Sequence, residues 1–241
     1  MRLLLGSGGL STPARVAAWV REFGDFLGPV RSVLFVPYAL ADHDKYTRMI
    51  VERAFHAGRE IVGLHRARSP RKAVERADAI FVGGGNTFRL LDAVERLGLL
   101  PAIRRRVVDG MPFVGISAGT NLACPTIRTT NDMPIVWPRS AAALDLVPFQ
   151  INPHYVEGAF HLKEGRRYRP YGGETRDVRL KEFHEMNDAP ILALREGSIL
   201  RVEGRKARVV GAAGARLFRR GGEPEDLPIG ADVSAMLRRR G

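Results

Sequence analysis

Short apolar runs alternate with helix-type segments through the first half of the 241-residue chain. Between the first two runs, Val16, Trp19, Val20 and Phe23 have the spacing of one buried helix face. Apolar strands that alternate with helices are typical of a parallel sheet covered on both faces. The pattern therefore predicts an α/β fold: a flavodoxin-like, doubly wound, mostly parallel sheet with helices on both faces. The five runs are 2–5, 32–37, 60–64, 78–82 and 112–116.

The second half of the chain is less regular. Segments 129–136 and 146–151 are predicted to be strands or extended, and the polar, basic, glycine-containing stretch 158–173 is predicted to be a mobile surface loop. A helix is expected at 174–186, followed by a meander of short strands to residue 210. Because no linker, repeat or low-complexity tract divides the chain, residues 1–241 are expected to form a single domain.

The formal charge of +12 raises the possibility of nucleic-acid binding. Arginine supplies 33 of the 38 basic residues, however, and its positions are dispersed, with short clusters such as those at 104–106, 166–169 and 238–240. We see no recognition-helix pattern and no strand with interleaved aromatic residues. The sequence therefore favours a solvated basic surface, with no nucleic-acid partner.

Two further classes are disfavoured by the sequence. No stretch approaches the roughly 20 consecutive apolar residues of a membrane helix, and the N-terminal apolar run is too short for a secretory signal. We therefore expect no membrane partner and a cytoplasmic location. Cys124 is the only cysteine, which rules out an internal disulfide and a cysteine-based zinc site.

The stretch FVGISAGT, residues 113–120, places Ser117 between Gly115 and Gly119. It matches the G-x-S-x-G pattern, with an apolar strand before it and helix-compatible residues after it. A sharp strand-to-helix turn crowds the residues beside the serine, which explains why glycine suits both flanks. The pattern favours a nucleophile elbow over an ordinary tight turn.

A nucleophilic serine needs a base, and the chain has six histidines. His154 follows the run 149–153, where a strand leads into a turn shaped by Pro153, so it is the favoured candidate. His43 and His65 also lie in or beside loops and stay open as site residues. The remaining three are His56, His161 and His184.

A triple-glycine segment, Gly83-Gly84-Gly85-Asn86-Thr87, follows another predicted strand. It lacks the P-loop lysine and the full spacing of a dinucleotide fingerprint. If the segment has a catalytic role, it is therefore expected to supply backbone N–H donors to an oxyanion. A plain tight turn is the alternative. Cys124, about two helical turns beyond Ser117, is predicted to be a buried thiol.

Taken together, four segments resemble signature segments of the peptidase E family, aspartyl dipeptidases among the serine peptidases. The resemblance runs from the first strand to about residue 210, in family order. It implies a flavodoxin-like fold akin to class I glutamine amidotransferase domains, with serine in place of their cysteine. The segments are VGGGNTFRLL (82–91), GISAGTNLACPTIRTTNDMPIV (115–136), LDLVPFQINPHY (144–155) and GETR (173–176).

The resemblance implies a role for each matching residue. Ser117 would be the nucleophile and His154 the general base, with Gly85 and Ala118 as oxyanion-hole donors. Two acids, Asp132 in TTNDMP and Glu196 in ALREGS, are both candidates for the third member of a triad.

Substrate selection follows from the same resemblance. Arg176, in GETR, would bind the aspartate side chain of an Asp-Xaa dipeptide, and a guanidinium is a suitable partner for that carboxylate. The extra basic segment 161–169, just before GETR, departs from the family pattern and leaves the detail of specificity open.

The implied reaction is hydrolysis of Asp-Xaa dipeptides through an aspartyl-enzyme, with no cofactor and no metal. The chain is expected to be a monomer or a homodimer. One alternative is a cyanophycinase-like or isoaspartyl-cleaving serine peptidase. An alternative of another class is a non-catalytic module that binds anions or nucleic acid. A general esterase is disfavoured because no HGGG segment is present.

Overall fold

A mostly parallel sheet forms the centre of the protein in a computed structural model, which describes residues 1–53, 55–158, 161–170 and 172–238. The first half of the chain supplies the parallel strands and most of the helices. In chain order these elements are β1 (Arg2–Gly6), α1 (Pro13–Leu27), β2 (Ser32–Val36), α2 (His43–Glu52), β3 (Glu60–Gly63), α3 (Pro70–Arg76), β4 (Ile80–Val82), α4 (Thr87–Arg96), α5 (Leu100–Val108), β5 (Phe113–Ile116) and α6 (Ala118–Ala123).

The second half adds strands that pair mostly antiparallel, and one long helix. These elements are β6 (Gln150–Tyr155), β7 (His161–Glu164), β8 (Arg167–Pro170), α7 (Arg176–Met186), β9 (Ile191–Arg195), β10 (Ser198–Glu203), β11 (Lys206–Gly211), β12 (Ala215–Phe218) and β13 (Glu225–Leu227). Among them, β6 and β9 form a parallel pair.

Within the described residues, the central sheet has the strand order β11-β10-β1-β5-β4-β2-β3. Strands β1 to β5 run parallel, whereas β10 and β11 are antiparallel additions at one edge. This arrangement confirms the predicted α/β fold with a mostly parallel sheet. A smaller sheet of order β13-β12-β9-β6 lies beside it.

Alternate residues of the central strands face two separate cores. Leu4, Phe35 and Phe81 pack with α1 and α2 on one face. Leu3 and Val82 pack with α3, α4, α5 and α6 on the other face. Because both faces are covered, the middle strands are apolar throughout, as expected for buried parallel strands.

In three segments of the second half, the structure differs in part from the sequence prediction. Segment 129–136, predicted to be a strand or extended, forms no strand; its Thr129 and Asn131 side chains donate hydrogen bonds to the backbone of β6. The strand expected at 146–151 begins only at Gln150. In 158–173, of which 159, 160 and 171 lie outside the described residues, β7 and β8 form an exposed hairpin around Gly165, whose φ of 62° suits a tight turn.

Two features bear on partners. No helix within the described ranges combines the length and the apolar character of a membrane span. The basic cluster at 238–240 lies outside the described residues except for Arg238.

Candidate active site

Four loops at the carboxyl ends of the parallel strands meet at one rim, where sheets of this kind place their sites. The backbone N–H of Ser117, after β5, donates to the carbonyl of Gly6, the last residue of β1, at 2.9 Å. The loop after β4 joins the loop after β2, because the N–H of Asn86 donates to Ala39 O at 2.9 Å. The triple-glycine segment lies beside the serine at this rim, since a Cβ on Gly84 would contact Ser117 Cβ.

Ser117 occupies a strained turn between β5 and α6. Its φ of 54° and ψ of −111° lie in a region that residues other than glycine rarely adopt. A Cβ on Gly115 would come 2.6 Å from Gly119 O, and a Cβ on Gly119 would overlap Val82 O. Both flanking positions therefore require glycine, which is the structural basis of a nucleophile elbow.

His154 lies at an irregularity near the end of β6. The register between β6 and β9 shifts between Asn152 and Tyr155, and the φ of His154 is 57°. Such bulges re-aim side chains. Here the imidazole turns toward Ser117, and its Nε2 lies 2.7 Å from Ser117 Oγ.

Polar side chains from two other segments hold β6 in place. Asn121, on the helix that follows Ser117, donates through Nδ2 to Ile151 O at 2.9 Å. Asn131 donates through Nδ2 to Pro153 O at 2.7 Å. The strand that carries the imidazole is thereby tied to the helix that carries the serine.

Glu196 lies on the opposite side of the imidazole, immediately after β9. Its Oε1 lies 2.7 Å from His154 Nδ1. The hydrogen bond from His154, with smaller contributions from the charges of His154 and Arg15, lowers the pKa of the Glu196 carboxyl. An ionised carboxylate can only accept, so Nδ1 carries the hydrogen and Nε2 is left to accept the proton of the Ser117 hydroxyl.

Asp132 occupies a different place. Its Oδ2 accepts hydrogen bonds from Thr87 N at 2.8 Å, Thr87 Oγ1 at 2.6 Å and Thr130 Oγ1 at 3.0 Å. Thr87 is the first residue of α4, so the carboxylate lies where a negative charge favours a helix N-terminus. Of the two acids that the sequence left open, Glu196 therefore contacts the imidazole and Asp132 anchors the loop after Gly85.

The triple-glycine loop lies against the serine. A Cβ on Gly84 would come 3.1 Å from Ser117 Cβ, and Gly85 has a φ of 130°. Among the hydrogen bonds of the described residues, none uses the N–H of Gly85 or of Ala118, the first residue of α6. Both donors are therefore free for a ligand atom next to Ser117 Oγ.

Arg176 is the first residue of α7 and is half-buried. Its Nε is buried, and no hydrogen-bond partner for it is found in the described part of the chain. Burial, and then the charge of Arg179, lower the pKa of its guanidinium, while the charge of Asp132 opposes them. Arg176 lines a cavity of about 40 Å³ together with Thr130 and Asn131. The positive charge of Arg176 therefore lies in a confined space, next to the segment that carries Asp132.

The sequence analysis missed three residues of the loop after β1. The buried Ser7 accepts a hydrogen bond from His154 N at 2.8 Å and donates to Leu194 O at 3.1 Å. A Cβ on Gly8 would lie 2.6 Å from His154 Cε1, and a Cβ on Gly9 would overlap Glu196 Oε2. The run GSGG directly after the first strand was the available signal.

Other candidates lie apart from this arrangement. His65 Nε2 lies 2.8 Å from Asp44 Oδ1, and the rings of His43 and His65 are 5.6 Å apart. Cys124 is buried as predicted, and burial raises the pKa of its thiol to about 12. Within the described residues, no group of three or more His, Cys, Asp or Glu side chains is arranged to hold a metal ion.

Comparison with known proteins identifies relatives of this chain. The chain is 51% identical to a peptidase E of Streptomyces coelicolor, over 90% of this chain and 86% of that protein. It is 47% identical to a probable alpha-aspartyl dipeptidase of Drosophila melanogaster, over 87% of this chain and 85% of that protein.

A solved structure of a peptidase from an acI-B1 Actinobacterium shares the fold, with a TM-score of 0.67 at 16% identity, and 96% of each chain is covered. The sequence model of peptidase family S51 matches residues 2–210. The chain therefore belongs to peptidase family S51.

Proposed function

We propose that this chain is a serine dipeptidase that hydrolyses peptides with an N-terminal aspartate, Asp-Xaa. The observation that carries the proposal is the position of His154, whose two ring nitrogens each lie 2.7 Å from a partner, Ser117 Oγ and Glu196 Oε1. The side chains of His154 and Glu196 are 36% and 30% exposed, so a small peptide can reach them. Family membership and the names of the relatives support the same activity.

In the first half of the proposed reaction, His154 Nε2 accepts the Ser117 hydroxyl proton while Oγ attacks the peptide carbonyl. The free N–H groups of Gly85 and Ala118 stabilise the negative charge that develops on the carbonyl oxygen. Glu196 stabilises the imidazolium that forms and holds the imidazole in the required tautomer.

In the second half, His154 gives its proton to the leaving amine, the peptide C–N bond breaks and an aspartyl ester remains on Ser117. A water molecule then attacks the ester while His154 again accepts a proton. Aspartate is released and the serine hydroxyl is restored. Asp132 takes no part in these proton transfers, and its hydrogen bonds hold the first turn of α4 beside Gly85.

Arg176 is proposed to bind the side-chain carboxylate of the N-terminal aspartate. Its half-buried guanidinium has an unused Nε–H among the described residues, and partial burial strengthens a charge-assisted hydrogen bond. Its neighbour Asp132 carries the opposite charge, which is available to the free ammonium group of the same aspartate.

A dipeptide panel tests the proposed function. We expect the purified protein to hydrolyse Asp-Leu much faster than Asn-Leu, Glu-Leu or β-Asp-Leu. A preference for β-Asp-Leu would instead assign an isoaspartyl-cleaving peptidase. Absence of hydrolysis together with salt-sensitive DNA binding would assign a binding module.

Arg176→Ala is expected to lower kcat/KM for Asp-Leu by about 10- to 100-fold and to remove the preference for Asp over Asn, because a hydrogen bond to a charged group contributes about 1.5–3 kcal/mol. Lys181→Ala is the matched control: it removes one positive charge from the same helix, but Lys181 is exposed and does not line the cavity that holds Arg176. Equal losses of kcat/KM for Asp-Leu and Asn-Leu would show that Arg176 does not recognise the carboxylate of the aspartate side chain.

Gly9→Ala is expected to reduce kcat strongly, because its new methyl group would displace the Glu196 carboxylate. Gly28→Ala is a control with a similar positive φ: φ is 65° at Gly9 and 56° at Gly28, but a Cβ on Gly28 meets nothing within 4 Å. Both variants should lose about 1–2 kcal/mol of stability from the strained φ, measured by thermal unfolding. Similar kcat values for the two variants would contradict a working contact between Glu196 and this loop.

Three expectations from the sequence stay predictions. They are a cytoplasmic location, a monomeric or homodimeric state, and the absence of a nucleic-acid partner. Cell fractionation, light scattering and a DNA-binding titration would measure them.

A further inference from the structure

Arg15 lies beside the proposed catalytic residues but has no role in the reaction described above. It belongs to the first turn of α1, directly after the glycine loop that covers the imidazole edge. A Cβ on Gly197 would come 3.0 Å from Arg15 Cγ, so the stem of Arg15 packs on the backbone that follows Glu196. Its Nη1 donates to Gly9 O at 3.3 Å. These contacts place the guanidinium next to Gly9 and Glu196.

Most hydrogen-bond donors of the Arg15 guanidinium are unused in the described part of the protein, although its charge contributes to the lowered pKa of Glu196. Among the described residues Arg15 forms no ion pair, and its one hydrogen bond is long and goes to a neutral carbonyl. The carboxylate of Glu196 is nearby, but its Oε2 has no hydrogen-bond partner in the described chain, so Arg15 does not bind it directly. Most of the donors of this guanidinium are therefore free.

Helix stability does not explain the position of Arg15. A cation in the first turn of a helix lies at the positive end of the helix dipole, which is unfavourable. The first turn of α1 contains no acidic residue that would compensate. A half-buried cation at such a place is more favourable when an anion is bound beside it.

The proposed reaction puts an anion on this side of the site. His154 protonates the leaving amine, so the leaving residue lies on the imidazole side of Ser117, along Gly8 and Gly9. The aspartyl part of the substrate is assigned to Arg176 and Asp132, which contact other parts of the fold, the first turns of α7 and α4. In a dipeptide the α-carboxylate is one carbon away from the leaving nitrogen, and the flexible stem of an arginine allows its planar fork to reach such a group.

We propose that Arg15 binds the α-carboxylate of the leaving residue and thereby favours dipeptides over peptides whose C-terminus is blocked or extended. This inference rests on the proposed Asp-Xaa activity. An amide or a further residue at that position removes the negative charge, and with it the interaction with Arg15.

The test compares Asp-Leu with Asp-Leu-amide, which differ only in the charge of the leaving carboxylate. For the unaltered protein we expect kcat/KM to be about 10- to 100-fold higher for Asp-Leu, the usual effect of a hydrogen bond between charged groups. Arg15→Ala should lower this ratio to near one, mainly by raising KM for Asp-Leu and with little change for the amide. Arg15→Lys should recover part of the preference.

Arg21→Ala is the matched control, since Arg21 is an exposed residue of the same helix that faces Glu22. It should leave the ratio unchanged. Thermal unfolding of each variant confirms that it is folded, and the comparison of substrates on the unaltered protein does not depend on any variant.

Failure of the inference is distinct from failure of the proposed function. If the unaltered protein cleaves both substrates equally well, or if Arg15→Ala lowers both by the same factor, Arg15 does not read the carboxylate, while the Asp-Xaa activity stands. If neither substrate is cleaved by the unaltered protein, the proposed function and this inference both fall.

Discussion

Ser117→Ala is expected to lower kcat for Asp-Leu hydrolysis by roughly 10⁴- to 10⁶-fold, the range found when the nucleophile of a serine triad is removed. The hydroxyl is the atom that forms the proposed ester, and no neighbouring side chain replaces it. The substitution should not damage the fold, because the strained turn is held by Gly115, Gly119 and the hydrogen bond from Ser117 N to Gly6 O. Initial-rate kinetics and thermal unfolding measure the two effects separately.

Ser69→Ala is a suitable control for the loss of a serine hydroxyl. Ser69 precedes α3 and its side chain makes no capping hydrogen bond, so both activity and stability should stay near those of the unaltered protein. Unchanged hydrolysis of Asp-Leu by Ser117→Ala would end the proposal that Ser117 is the nucleophile.

Glu196→Gln is expected to lower kcat by about 10³- to 10⁴-fold, as in other triads whose acid is replaced by its amide. The amide retains the shape of the side chain but cannot hold an imidazolium by charge, and it can favour the wrong tautomer of His154. Asp132→Asn is the matched comparison, because it makes the same chemical change at the other acid. It should reduce kcat by no more than about 10-fold while it lowers stability by about 1–3 kcal/mol, since Thr87 loses a charged acceptor.

The pair of variants decides between the two acids. A large loss of kcat in Asp132→Asn with a small loss in Glu196→Gln would assign the orienting role to Asp132. It would also mean that the contact between His154 and Glu196 does not serve the reaction.

Much of the first half of the fold follows from local sequence patterns. Buried parallel strands are apolar along their whole length, and the helices between them show a clear apolar face, so β1 to β5 and their helices are evident from the sequence. The carboxyl-end rule for parallel sheets then predicts that the loops at Gly6, Tyr38, Gly83 and Ser117 share one rim.

The second half of the fold was harder to predict because its strands and loops lack these apolar patterns. Strand β13 contains Glu225 and Asp226 and lies at a sheet edge, and β7 and β8 are exposed on both faces. Neither has the apolar alternation that marks a half-buried strand. Only pairing with a neighbouring strand defines them.

The choice of acid could not be made from the sequence for a related reason. Asp132 follows Ser117 closely in the chain, whereas Glu196 comes after β9, in the smaller sheet. The parallel pairing of β6 with β9 brings Glu196 to His154, and that pairing is a tertiary contact. The supporting loop of Ser7, Gly8 and Gly9 was not predicted from the sequence. Its glycines are required because a side chain at either position would collide with His154 or Glu196, and such a collision is visible only in the folded structure.

Partitioning of the reaction between water and hydroxylamine tests the central claim, an aspartyl ester on Ser117, most directly. Asp-Leu, Asp-Ala and Asp-Gly would be cleaved at one fixed hydroxylamine concentration, and the ratio of aspartyl hydroxamate to aspartate would be measured for each. If all three substrates pass through the same aspartyl ester, the leaving residue has departed before the ester reacts with water or hydroxylamine. We therefore expect one common ratio of the two products. A ratio that changes with the leaving residue would contradict the ester intermediate.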